Sequence, residues 1–408
     1  FIERTGSLSR ASGFSGMVTM QNWMFLSSFE FLREKILAER TLRNLCQIGY
    51  NSFPEMNSKV AQAAAFVIEK RKNAGRGIFF NLNDAPQSSD KRVVYLEKRK
   101  ISDYFSPFPD DFRNIPGSPL AYWASDGVYN AFKCSQLLAE HASVGKGLDT
   151  GDNERFLRLW FEVARSGSRW VPCQKGGAFR KWYGNNDVVI DWADDGAALR
   201  HFPKANLRNS QNYKRSGISW TRVSSAPPAF RAFDEGQIFE STGPCVFVDD
   251  ISEHIALGLL NSNFARLVLG MLAPSLDFQS GHVSKIPVPR CSKELDQRPA
   301  QNCIALSRSD WDAYETSWDF TTLPLLSADH RAGALEATYA RLRAHWQGLT
   351  DEMQRLEEEN NRIFIDAFGL TDELSREVPI EEVTLTCNPA YRYGVKSTEQ
   401  EREKRLLA

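Results

Sequence analysis

The hydrophobic pattern changes character twice along the 408 residues. The first hundred alternate short apolar runs with one amphipathic segment. Gly16-Met-Val-Thr-Met20 predicts a short strand. Ser27-Ser-Phe-Glu30 offers a capping box, and Phe25, Phe29, Leu32 and Ile36 recur at helical spacing. Thr41–Ile48 predicts another strand. Lys59–Lys70 (KVAQAAAFVIEK) is a nearly unbroken run of small and β-branched residues, as expected of a strand covered on both faces. Strand, helix, strand, strand predicts an α/β fold: the second half of a doubly wound, Rossmann-like sheet.

Asn83–Asp90 is a polar loop with Pro and Ser, and 101–126 is rich in aromatics and prolines without a sustained period. The latter reads as a connection into a second domain. From about Phe132 to Pro289, short segments separated by Gly, Pro and Asn predict an irregular α+β recognition domain. Beyond Ser327 the pattern becomes regular. Leu335, Tyr339, Leu342, Trp346, Leu349, Met353, Leu356, Asn360, Ile363 and Ala367 keep an alternating four-three spacing. With Ser327 as N-cap and Gly369 as terminator, this predicts one helix of about 40 residues. It is either a coiled-coil arm with Asn360 on the seam or a helix lying along its own domain. The chain divides accordingly into 1–126, 127–326 and 327–408.

Composition adds exclusions. With 42% hydrophobic and 25% charged residues and a net charge of −1, the chain is an ordinary globular sequence able to bury two or three cores. No apolar run approaches the roughly 20 residues that span a bilayer, and no signal peptide is visible. No membrane partner and a cytoplasmic location are expected. The chain opens on Phe1 and ends in a segment that reads as a helix cut short, so a piece of a longer protein is expected. Seven cysteines stand singly, none in a CxxC pair, and six histidines form no ligand pair, so no metal is expected.

Charge is unevenly spread. Arg165–Arg231 holds twelve Lys/Arg against four Asp, a balance of +8, interleaved with Trp170, Phe179, Trp182, Tyr183, Tyr213 and Trp220. Asp351–Val383 holds eleven Asp/Glu against three Arg, a balance of −8. A basic stretch with aromatics suggests nucleic acid; a basic surface loop is the alternative. Gly145-Lys-Gly147 follows no apolar strand and reads as a turn rather than a nucleotide loop. No Lys has an acid two residues before it, which excludes a common type of nuclease centre from this segment.

Several stretches, taken in order, carry a resemblance. They are Gly16–Leu37, Ile48-Gly-Tyr-Asn-Ser-Phe-Pro54 with Val60–Ile68, Gly147-Leu-Asp-Thr-Gly-Asp-Asn153, Lys181-Trp-Tyr-Gly-Asn185, Leu260-Asn-Ser262, Ile286-Pro287 and Leu356–Phe364. Together they resemble the PglX family, the methyltransferases of bacterial BREX phage-defence systems. More loosely, they are similar to the target-recognition half of fused restriction-modification enzymes. The resemblance covers nearly the whole chain.

It implies the end of the catalytic domain and the DNA-reading domain of an enzyme that methylates adenine N6 from S-adenosylmethionine. The cofactor site and the Asn-Pro-Pro-Tyr motif of that family lie upstream of the strand at Gly16, so the segment alone is expected to be catalytically silent. In related enzymes an aromatic after the sixth strand packs on the flipped adenine, and the matching position is Phe53. Double-stranded DNA is the implied partner. Base extrusion needs phosphate contacts to hold the distorted duplex. The chosen donors are Lys175, Arg180 and Lys181 beside Trp182 and Tyr183, with Arg208, Lys214 and Arg215 as a second set. Asn185, Asn209, Gln211 and Asn212 are candidate base readers.

Asn388-Pro-Ala-Tyr391 invites confusion with the catalytic motif. Its third residue is Ala, and a similar stretch recurs here in the family, so a structural turn is expected. The alternative class is a non-catalytic DNA-binding or assembly module of a defence complex, whose acidic long helix would dock other BREX proteins.

Overall fold

A computed structural model describes residues 1–49, 52–53, 62–72, 75–86, 88–164, 167–273 and 276–407. These form two compact units, Phe1–Cys134 with Met271–Pro274, and Ser135–Gly270 with Ser275–Ala408.

The first unit runs α1 (Ile2–Leu8), β1 (Phe14–Met20), α2 (Glu30–Glu39), β2 (Thr41–Gly49), β3 (Ala63–Glu69), β4 (Ile78–Asn81), α3 (Lys91–Lys100) and α4 (Asp126–Cys134). Its sheet has the order β1-β3-β2-β4. β3 is antiparallel to both β1 and β2, whereas β2 and β4 are parallel. Hence β1, β2 and β4 share one direction, and β3 is a reversed strand inserted between two of them. The crossover through α2 allows β1 and β2 to be parallel. The sheet is therefore mixed. The capping box at Ser27 is not used, because α2 starts at Glu30 without a side-chain cap.

One face of this sheet is covered. Leu45, Ala64, Phe66, Ile68 and Phe79 pack with Trp23, Ile36, Leu37, Phe112 and Tyr122. The opposite face is open, contrary to the expectation of a strand covered on both sides. Phe14, Val18 and Met20 are 65%, 57% and 41% exposed. A groove of about 900 Å³ lies on this face, lined by Val18, Cys46, Ala65, Val67, Ile78 and Phe80 among others. Lys59, Val60 and Ala61 lie outside the described residues.

The second unit contains β5 (Gln136–Leu137), β6 (Ala142–Gly145), α5 (Asn153–Phe156), β7 (Leu157–Leu159), β8 (Trp170–Gln174), β9 (Val188–Asp191), α6 (Ala193–Arg200), β10 (Gly217–Trp220), β11 (Phe230–Phe233), β12 (Ile238–Phe239) and β13 (Cys245–Val248). Then follow α7 (Glu253–Leu260), α8 (Asn263–Leu272, whose end falls in the first unit), α9 (Ser280–Val283), β14 (Pro287–Val288), α10 (Arg298–Asp312), α11 (Leu335–Phe368), α12 (Pro389–Tyr393) and α13 (Glu399–Leu407). The strands form two four-stranded sheets, β11-β10-β13-β6 and β12-β8-β9-β7, and a small pair. Trp192, Ile190, Ile238 and Leu199 fill one core; Phe233, Phe239 and Phe247 fill another.

The long helix α11 has 34 residues and ends at Gly369 in the left-handed region. Ser327 caps a separate short turn instead, accepting from the Asp329 N–H. Met353, Leu356, Asn360, Ile363 and Phe364 on α11 are buried. Asn360 donates to the Gly258 carbonyl of α7 at 2.9 Å. A Cβ at Gly258 would stand 2.6 Å from the Asn360 side-chain oxygen, so any larger residue there would displace the Asn360 amide. The expected seam thus faces the chain's own α7, and the helix lies along its own unit. Among the described residues, no single helix is long and apolar enough to cross a membrane.

Candidate nucleic-acid interface

Parallel β1, β2 and β4 end on one edge of the first sheet, at Met20, Gly49 and Asn81. In open α/β sheets the carboxyl edge is where ligands bind. Phe53 follows β2 at this edge and is 41% exposed. Its neighbour Ser52 ties both strands, donating to the Gly49 carbonyl at 2.5 Å and accepting from the Ala63 N–H at 3.1 Å. Gly49 has φ +69°, and a Cβ there would collide with the Asn83 side chain at 1.5 Å. Tyr50, Asn51 and residues 54–61 lie outside the described residues.

Behind this edge runs a chain of amides that sequence inspection missed. Tyr122 donates to the Gln47 oxygen at 2.7 Å, Gln47 donates to Gln21 at 3.1 Å, and Gln21 donates to Gln62. Their scatter over a hundred residues leaves no local signal. Among the described residues, neither β1 nor β4 leads into an acidic, glycine-rich turn.

In the second unit the expected DNA contacts separate into two groups. Arg180, Lys181, Trp182, Tyr183 and Asn185 are 3%, 7%, 1%, 4% and 8% exposed. Arg180 donates to the Tyr183 carbonyl at 2.7 Å, Thr386 Oγ1 at 2.9 Å, Asp310 at 2.9 Å and the Ser307 carbonyl at 3.1 Å. Asp310 in turn accepts the Thr386 and Cys387 N–H groups at 2.7 and 3.0 Å. The Lys181 ammonium pairs with Glu357 of α11, which also accepts Trp182 Nε1 at 2.7 Å. Burial pushes the Glu357 carboxyl up, while Lys181 opposes that shift. Asn185 donates to the Ala178 carbonyl at 2.9 Å.

These five are therefore not surface contacts. Four of the five Arg180 N–H donors are occupied, and a buried charge is kept only because it is paired. Arg180, Lys181 and Trp182 join the segment between β8 and β9 to α10, α11 and the C-terminal segment. Asn212 is likewise buried, donating to Ser143 at 3.2 Å, and is not placed to read a base.

Asn388-Pro-Ala-Tyr391 belongs to the same junction. Asn388 caps α12, accepting from the Ala390 N–H at 3.0 Å and donating to the Ile380 and Val383 carbonyls at 2.8 Å each. Tyr391 donates to the Phe179 carbonyl.

The remaining cations stay at the surface. Lys175 lies 3.6 Å from Glu240, Arg208 2.6 Å from Asp149, Lys214 3.9 Å from Asp195 and Arg215 3.4 Å from Asp249. The Arg208, Lys214 and Arg215 pairs are exposed and contribute only about 0–1 kcal/mol each, so these cations exchange a carboxylate for a phosphate at little cost, whereas Lys175 is half-buried against a buried Glu240. Gln211 is exposed, and Asn209 donates to the Lys146 carbonyl at 2.9 Å. Arg165 lies outside the described residues.

Comparison with known proteins gives this arrangement a context. The chain is 34% identical over 412 residues to "Adenine-specific methyltransferase BrxX" of Escherichia coli O9:H4 (strain HS), covering 98% of this chain and 33% of that protein. It is 33% identical over 418 residues to "Adenine-specific methyltransferase PglX" of Lacticaseibacillus casei (strain Zhang), covering 94% and 34%. The chain is homologous to BrxX and PglX. It spans about a third of the length of these relatives. No protein-family model matches.

Among solved structures, the type IIL restriction-modification enzyme MmeI in complex with DNA aligns with a TM-score of 0.46 at 10% identity, over 98% of this chain and 50% of that one. A nuclease-deletion mutant of the type ISP restriction-modification enzyme LlaGI, with a DNA substrate mimic, aligns with a TM-score of 0.41 at 10% identity, over 75% and 36%.

Proposed function

We propose that this chain is the target-recognition part, with the last strands of a Rossmann-like catalytic sheet, of an adenine-N6 DNA methyltransferase of the BREX type. The supporting observation is the similarity to BrxX and PglX along almost the whole chain. Residues 1–126 supply the end of the catalytic domain, 127–326 the recognition domain and 327–408 the long helix with its C-terminal segment. The reversed strand between two parallel ones, with an exposed β1 edge and an open apolar face, fits a sheet that further strands and helices complete. Phe53 stacks on the extruded adenine, and S-adenosylmethionine is held by sequence outside this segment. Lys175, Arg208, Lys214 and Arg215 contact phosphates, and the protein acts in the cytoplasm.

The test is duplex binding by the 408-residue chain as salt is raised. Each phosphate contact contributes a slope of about −0.9 in log K against log salt. Replacing Lys175, Arg208, Lys214 and Arg215 by Gln is expected to lower the slope by about 3 to 4. An unchanged slope removes these residues from the interface. Methyl transfer from S-adenosylmethionine by the isolated chain would refute the division of labour.

A further inference from the structure

Resting on the DNA-binding proposal above, we infer that α3 is a second phosphate-contact element, beside the edge that carries Phe53. Lys91–Lys100 (KRVVYLEKRK) holds five cations against the single acid Glu97. Lys98 is engaged by Asp84 at 2.7 Å and Asp103 at 2.5 Å. Arg92, Arg99 and Lys100 are exposed and make no salt bridge among the described residues. The surface cations of the second unit considered above each have an acidic partner. These three do not.

Helix stability alone does not account for this pattern. Cations in the last turn suit the helix dipole, so Lys98, Arg99 and Lys100 have a local rationale. Lys91 and Arg92 occupy the first turn, where the dipole disfavours positive charge, and no acid stands there. The Asp90 cap, accepting from the Arg92 and Val93 N–H groups, and Asp84 near Lys91 offset part of this charge. Arg92 keeps an exposed charge at the helix start, which an anion outside the chain would complement.

Position supplies the second argument. The Lys91 ammonium donates to the Leu82 carbonyl at 2.8 Å, just past the carboxyl end of β4. Leu82 in turn donates to the Gln47 carbonyl of β2 at 3.0 Å. The first turn of α3 thus stands at the edge where Phe53 emerges. None of the ten residues is buried; Tyr95 alone reaches an aromatic neighbour, Phe80, at 5.0 Å. Arg92 and Arg99 are two turns apart on one side, about 10 Å along the axis, while phosphates on one strand rise about 3.4 Å each. Both guanidinium groups can therefore engage one backbone strand beside an extruded base, where the distorted duplex needs holding.

The experiment compares the 408-residue chain with its R92Q/R99Q/K100Q variant, and with K404Q/R405Q on α13 as a charge control. Anisotropy of a labelled duplex is followed from about 50 to about 200 mM salt, and the α3 variant is expected to lose about 2 to 3 in slope and at least about tenfold in affinity at low salt. Unchanged circular dichroism and melting temperature in the α3 variant show that it folds, since the three side chains are exposed. The α13 variant is expected to keep the wild-type slope. An unaltered slope in the α3 variant, or an equal loss in both variants, overturns the assignment of α3 and leaves the DNA proposal standing. Failure of the wild-type chain to bind any duplex overturns both.

Discussion

The basic run places Lys181 at the DNA surface, the structure places it in a buried ion pair, and the two placements make opposite predictions. Its side chain is 9% exposed and that of Glu357 3%. In Lys181→Met, Glu357 keeps one donor, Trp182 Nε1. Removing one partner of a buried pair typically costs about 3–5 kcal/mol, because the other charge is left uncompensated. Adding Glu357→Gln removes that charge but keeps an oxygen for the Trp182 N–H. The double variant should therefore recover most of the loss, finishing within about 1–2 kcal/mol of wild type. Urea denaturation of wild type, both single variants and the double variant gives the coupling directly. A cost below about 1 kcal/mol for Lys181→Met, or a double variant no more stable than it, would refute the buried pair. If Lys181→Met instead left stability unchanged and lowered the salt slope of DNA binding, the residue would be a phosphate contact after all.

Two further predictions follow from individual groups. Asn388→Ala removes a helix cap and two donated hydrogen bonds, so it should cost about 2–3 kcal/mol in denaturation, and a loss under about 0.5 kcal/mol would contradict the capping role. Burial, helped by Lys285, holds His282 below its usual pKa, and its Nδ1 accepts the Gln279 N–H at 3.3 Å. A depressed folded pKa means that the contribution is fully present above the unfolded value of about 6.5 and is lost as pH falls through the folded value. His282→Gln, which cannot titrate, should narrow the drop in melting temperature between about pH 7 and about pH 5, and an identical drop would exclude His282 as a source.

Periodicity located elements better than it located surfaces. The strands at 14–20 and 41–49 and the helix after Glu30 follow from local apolar spacing, which is set by each element's own geometry. The direction of β3 does not, because a strand's apolar content is the same whichever way it runs. β4 has four residues, and α3 buries none of its ten, so neither leaves a strong hydrophobic signature. Charge was the least reliable guide. Within Arg165–Arg231, Arg180, Lys181 and Arg231 are 3%, 7% and 1% exposed, and the partners of Arg180 and Lys181, Asp310 and Glu357, lie more than a hundred residues away. A basic run read alone cannot reveal acids that only the fold brings to it. The open face of the first sheet was illegible for the same reason: Ala65 and Val67 have the residue types of a covered strand, whether or not this segment supplies the cover.

Asn-Pro-x-Tyr shows why a motif needs its surroundings before it can be assigned chemistry. A catalytic version must leave the asparagine amide free to receive a base and the tyrosine face open to stack on it. The same residues also make a good helix start, because Asn is a favoured cap, Pro fits the first turn with its missing N–H, and a tyrosine hydroxyl can fasten the turn to a neighbour. At Asn388 the second use is realised in full. Both carbonyls that its amide serves lie within eight residues, its oxygen holds the Ala390 N–H, and Tyr391 is engaged with Phe179. Asn388 is also buried, so its amide is not presented to an adenine amino group. Exposure thus decides between them: Asn388 is buried, whereas Phe53 is exposed at the carboxyl edge of parallel strands and is the better candidate for meeting the extruded base.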